Sequence, residues 1–232
     1  MTFSRLIATG LLACLPALDS VAQTVTPLLE PVLSTDRGTW LLPQADEVEL
    51  ALSAGPEHLR ADATVYVFGR GGYDKVRAGT NGFACLVNRD RFQLGDRTLR
   101  PTCWDAEGGV TILPVVLRVG ELLAQEKTAD DIRHDIDAGF DEGRFAAPHK
   151  AGIAYMLRGD VQVDPASHRV SGQSFPPHYM IYAPGVSNRD IGIGEDAAKD
   201  HFALPFVYGG YSGGPRTRYI IILATEGKGH TH

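Results

Sequence analysis

Two histidines stand directly after prolines where strand-like sequence begins, His149 in AAPHKAG and His178 in FPPHYMI. Proline fixes its own φ and biases the residue before it toward extended backbone. Each imidazole would therefore sit at a strand mouth, a place where ligands gather. Zinc needs three or four converging donors. The third would have to be an acid such as Asp190, since the chain has no HxH, HExxH or HxxxH before His230-Thr231-His232. Hydrogen-bonded or exposed histidines are the simpler reading, and no metal is expected. A second set is Asp105 and Glu107, just after Trp104. In a cleft either acid would serve as a general acid or base; otherwise they cap the helix that follows. A third is the run Pro176 to Gly194, where Ser187, Asn188, Arg189 and Asp190 crowd one turn after a strand. Loops leaving rigid strands carry binding groups. A ligand site is therefore expected from His149, His178, Asn188, Arg189 and Asp190, the alternative being a solvated turn held by its own side chains.

Gly210-Tyr211-Ser212-Gly213-Gly214-Pro215 fits GxSxG, and it resembles the GDSGGP run of chymotrypsin-like serine proteases. The resemblance implies Ser212 as nucleophile, with backbone N–H groups holding an oxyanion. It covers six residues, and Tyr211 stands where that family has Asp. His58 lies in PEHLRA, and 17 residues after Pro215 are too few for that family's C-terminal elements. An α/β-hydrolase elbow also fails, because a strand follows Ser212 rather than a helix. A glycine-rich turn is the plainer reading.

These groups must be positioned by a chain of 232 residues with formal net charge −6. A net acidic chain gains little from counterion release, which argues against nucleic acid as a partner. Arg89, Arg91, Arg97 and Arg100 are interrupted by Asp90 and Asp96 and read as a mixed, solvated run. The N-terminus has a positive residue, Arg5, an apolar run Leu6 to Leu18, and small residues at Ser20 and Ala22. That pattern predicts a signal peptide over 1–22, too short for a comfortable span. Leu11-Leu12-Ala13-Cys14 loosely matches a lipobox, a less favoured route that would place a lipid on Cys14. No later run is long and apolar enough to cross a bilayer. Removal of the leader leaves Cys85 and Cys103. In an oxidising compartment they are expected to form one disulfide. Closing about 18 residues, it would stabilise by on the order of 3 kcal/mol.

Residues 23–45 form an extended arm rich in Pro and Thr, and 46–226 a single domain. Asp46 to Ala54 predicts a helix with an acidic first turn. Ala63–Gly69, Tyr73–Arg77 and Phe83–Asn88 predict three strands joined by short turns, an antiparallel meander, with Thr102–Trp104 returning to the sheet. Ile112, Val115, Val116, Val119, Leu122 and Leu123 share one helical stripe, in which Pro114 is tolerable only near the first turn. Thr128 caps a second helix, so the pair predicts a hairpin across the sheet. Strands follow at Gly152–Leu157, around Asp164-Pro165 and at Tyr179–Ala183. Arg218–Thr225 is so apolar that it should be central, covered on both faces. The tail 227–232 is expected to be disordered. The class is α+β: a mostly antiparallel sheet, a central helical hairpin and one disulfide.

The runs GGYDKVRAGTNGFACLV, CWDAEG and FPPHYMIYAP are similar to a group of exported bacterial proteins. The resemblance implies a periplasmic or secreted setting and carries no activity or cofactor. The leading expectation is an exported domain that binds a small molecule or a protein partner. A hydrolase, metal-dependent or not, comes second, and a structural or interaction protein third.

Overall fold

The structure is a computed structural model, and it describes residues 41–164, 167, 169–194, 204–210 and 214–224. The expected leader, residues 23–40 of the arm, Ser212 and the tail lie outside the described residues. Among these residues the chain builds one eight-stranded sheet, ordered β2-β1-β3-β4-β5-β8-β10-β9, and a separate two-stranded ribbon, β6-β7. The strands are β1 (Thr64–Gly69), β2 (Gly72–Arg77), β3 (Ala84–Asn88), β4 (Arg100–Trp104), β5 (Ile153–Met156), β6 (Asp160–Val163), β7 (Val170–Phe175), β8 (His178–Tyr182), β9 (Phe206–Gly210) and β10 (Gly214–Leu223). The helices are α1 (Gln44–Leu52), α2 (Glu57–Arg60), α3 (Ala106–Ala124) and α4 (Ala129–Asp141). Leu41 and Leu42, at the end of the arm, pack against the core.

The expected meander is replaced by a crossing. β1 and β2 are antiparallel neighbours, but β3 pairs parallel to β1 on its other side. The connection 78–83 must therefore pass the start of β1. The amides of Thr80 and Asn81 donate to the Asp62 carbonyl, and the Gly79 amide donates to Thr64 Oγ1. Gly79 lies so close to this backbone that a Cβ would collide with Thr64 N and the Ala63 carbonyl carbon. β3 then pairs antiparallel with β4, with Cys85 opposite Cys103, and these two are disulfide-bonded.

Successive residues of a strand face opposite sides. On the Cys103 side, α1 packs over β1, β3 and β4, and Gly55 faces the Cys103 sulfur. On the Trp104 side, α3 starts against Tyr182 and ends against β2, where its Gly120 meets the Tyr73 ring. Asp105 caps α3, accepting from Gly108 N, and Thr128 with Asp131 forms a reciprocal capping box for α4. The helix begins three residues before Gly109, so Pro114 falls in its interior, where it removes a donor to the Val110 carbonyl. Val110 is exposed, which lets water take that bond. α4 packs principally on α3, and Arg118 joins them through two hydrogen bonds to Asp135 (2.9 and 2.7 Å).

β10 is not central as its composition predicts. It lies one strand from the edge, beside β9, which has no counterpart in the expected strands. One face is covered, with Tyr219 and Ile221 buried, whereas Ile222 on the other is 39 % exposed. Among the described residues, no helix is long and apolar enough to cross a membrane.

Candidate ligand-binding site

Eight strands spaced about 4.8 Å apart make a sheet ~34 Å wide, against a helix about 10 Å across. One helix, α3, cannot cover that face. It runs from Tyr182 toward β2, and among the described residues no helix lies over most of the half formed by β5, β8, β10 and β9. A cavity of about 380 Å³ lies there, walled by Ile112 and Val116 of α3 and by Trp104, Met156, Met180 and Ile221 of the sheet. The size falls within the range of small-molecule sites.

The polar end is built where β3 stops, β4 starts and β6 approaches. Leu99 and Val161 exchange two backbone hydrogen bonds of 2.9 Å, which bring Asp160 beside Arg100. Arg100 is a hub. Its Nη2 donates to Asp96 Oδ2 at 2.8 Å, its Nε lies 3.2 Å from Asp160 Oδ2, and its Nη1 lies 4.0 Å from Asp90 Oδ1. Arg91 Nε lies 3.3 Å from Asp96. Asp90, Arg91, Arg100 and Asp160 all line the cavity. The side chains of Asp90 and Asp160 are 13 % and 15 % exposed. Each carries a buried Oδ1 with no hydrogen-bond partner in the protein. Burial pushes the Asp160 carboxyl up to about 6, against the pull of Arg100 and with help from Asp90 and Asp96. Burial also raises Asp90, opposed by Arg100 and Arg91. These carboxyls are neighbours in charge as well as in space.

His178 forms part of the wall and is 2 % exposed. Its Nδ1 lies 2.8 Å from the Pro176 carbonyl oxygen. A carbonyl only accepts, so Nδ1 carries the proton and Nε2 is the acceptor of the neutral ring. Burial holds the imidazole below its usual range, which favours that neutral form. On the apolar side Trp104 Nε1 donates to the Tyr219 hydroxyl at 3.3 Å, and burial raises the Tyr219 phenol.

Of the residues expected to bind a ligand, His178 is the one placed in this wall. His149 is exposed and sits at the start of α3. Its amide donates to Glu107 Oε1 at 2.9 Å, and its Nδ1 lies 3.0 Å from the same oxygen. Asp105 accepts from Ile153 N (2.8 Å) and the Tyr182 hydroxyl (2.8 Å) as well as from Gly108 N, so it fastens α3 to β5 and β8. Asn188 holds its turn to β9 through the Val207 amide (2.6 Å) and carbonyl (3.3 Å). Asp190 is taken up by the Ser187 amide and hydroxyl, and Arg189 is exposed in the same turn. No group of three or more His, Cys, Asp or Glu side chains is arranged to hold a metal among the described residues.

The run from Arg89 to Arg100 reads in the sequence as solvated surface, yet it supplies the cavity's polar end. Arg89 itself is fully buried on a salt bridge to Glu47, with bonds of 2.8 and 2.9 Å. Strand parity puts Thr102 beside Trp104, and His178 beside Met180, on one face. Asp160 had no such signal, because its place depends on the Leu99–Val161 bridge. Comparison with protein-family models, curated proteins and solved structures finds no match to this chain.

Proposed function

We propose that this chain is an exported domain that binds a small, largely apolar molecule in the cavity between α3 and the sheet. The cavity carries the reading: it is preformed, of ligand size, and lined mainly by apolar side chains with a few polar groups gathered at one end. Export is supported by the leader-like residues 1–22 and by the bond between Cys85 and Cys103. A periplasmic or secreted address follows from the same two features. The test uses N-phenyl-1-naphthylamine, a neutral probe that fluoresces in apolar surroundings. Saturable binding at one site per chain is expected, and Val116→Trp, which fills the cavity, should abolish it. Absence of saturable binding, or binding that Val116→Trp leaves intact, rejects the reading.

A second reading, an exported hydrolase, is favoured by one observation. Asp160, pushed up to about 6 beside an apolar cavity, is suited to exchanging protons near neutral pH. It requires turnover of an ester, amide or glycoside panel that Asp160→Asn abolishes.

A further inference from the structure

The chemistry of the cavity's polar end selects among apolar molecules. Counting the groups joined through Arg100 and Arg91, three carboxylates (Asp90, Asp96, Asp160) face two guanidiniums. With all three ionised, that leaves one negative charge in excess. Among the described residues, the titratable groups around this end are these five, His178, and the Tyr208 and Tyr219 phenols that line the same cavity, from the loop after β3 and from β4, β6, β8, β9 and β10. Arg100 is already shared among three acids, and Thr102 Oγ1 donates to the Arg100 carbonyl at 3.0 Å. Asp90 Oδ1 and Asp160 Oδ1 have no hydrogen-bond partner, and His178 offers Nε2. A buried acceptor left unmatched is costly, and an ionised one more so. A ligand headgroup that donates and carries positive charge would relieve both conditions at once.

Resting on the reading of the cavity as a small-molecule site, we propose that its ligand is a protonated amine on an apolar body. The ammonium lies between Asp90 and Asp160 within reach of His178, and the tail lies along Trp104, Met156 and Met180 toward α3. A carboxylate ligand would add to the excess negative charge, and an alcohol would donate only once and leave that charge uncompensated. Charge-assisted hydrogen bonds are about twice as strong as neutral ones, so the headgroup should show in affinity.

The experiment displaces N-phenyl-1-naphthylamine from the full domain at pH 7.5 with three probes of equal tail length: n-octylamine as its ammonium, n-octanol and octanoate. Octylammonium is expected to compete at least roughly tenfold better than octanol, with octanoate the weakest. Asp90→Asn and Asp160→Asn, nearly isosteric changes, should each erode that preference about tenfold while leaving octanol within about twofold. The preference should also fall as pH drops below 6 and Asp160 takes up a proton. Octanol matching octylammonium, octanoate binding best, or a preference that survives both variants would overturn the amine assignment while the cavity reading stands. Failure of all three probes to displace a bound reporter also overturns it. If the reporter itself does not bind, the cavity reading fails and the amine assignment falls with it.

Discussion

At the scale of single residues, the groups that matter are charged side chains taken out of water. Asp160 holds its proton up to about pH 6 in the folded chain, against about 3.9 for an unperturbed Asp. The folded state then binds more protons than the unfolded one between about pH 4 and pH 6, so this residue lowers stability as pH rises through that window. Asp160→Asn removes the ionisable group and keeps an acceptor for Arg100. It is expected to stabilise the ligand-free protein at pH 7 by about 2 kcal/mol, with little effect at pH 4. Urea unfolding at the two pH values checks this; equal effects at both would refute it. The Glu47–Arg89 pair has the opposite character. Both side chains are fully buried, and the Phe68 amide donates to the same Glu47 oxygen at 2.9 Å. Arg89 also stacks 4.8 Å above the Phe68 ring. Removing one partner strands the other in a dry interior, so Glu47→Ala should cost about 3–5 kcal/mol. A loss below about 1 kcal/mol in the same assay would mean that Arg89 finds water or another acid.

At the scale of elements, the parallel placement of β3 beside β1 depends on how tightly the connection 78–83 hugs the start of β1. Gly79 permits that approach for lack of a side chain, not through unusual backbone angles. Gly79→Ala must push backbone against backbone, and about 3 kcal/mol of destabilisation is expected, at the upper end for overpacking. Gly71, in the β1–β2 turn, has nothing within 4 Å of an added Cβ. Gly71→Ala should stay within about 0.5 kcal/mol. Thermal denaturation of the two variants side by side separates crowding from any general cost of replacing glycine. The connection also explains why an antiparallel meander is the natural sequence reading. Short turns between strands favour antiparallel neighbours, and nothing local in Gly79 to Gly82 reports which side of β1 the next strand takes.

At the scale of the whole molecule, the disulfide ties two adjacent interior strands, β3 and β4, and the cavity's polar end hangs from the loop between them. Replacing Cys85 and Cys103 together by Ala is expected to cost about 2–4 kcal/mol. In the wild type a reductant should lower the melting temperature toward that of the double variant, and the double variant should not respond. A wild type indifferent to reductant, with two titratable thiols when denatured, would reject the bond. Loosening β3 from β4 should also weaken reporter binding, since Asp90 and Arg100 stand at opposite ends of the tied loop.

Much of the architecture was legible in the chain because it follows from local rules. The switch from alternating to helical spacing near Trp104 marks the passage from sheet to α3. The Thr128 cap locates α4, and every apolar residue of the α3 stripe, Ile112 to Leu123, is buried. The pairing of Cys85 and Cys103 was expected from a leader that would remove Cys14 and from an exported setting, and the two are bonded. Three things were decided only in three dimensions. The side of β1 taken by β3 is set by a backbone contact between the turn residues Gly79 to Asn81 and Asp62 to Thr64, some 15 or more residues earlier in the chain. The one-faced exposure of β10 reflects that α1, on the Cys103 side, packs over β1, β3 and β4 and not over β10, which the composition of β10 does not encode. The cavity's polar end joins Asp90, Arg100, Asp160 and His178 from four separate segments, through a bridge between Leu99 and Val161. Such convergence leaves no period or motif behind, because hydrogen bonds and burial act through space, whereas sequence spacing reports neighbours along one strand or helix.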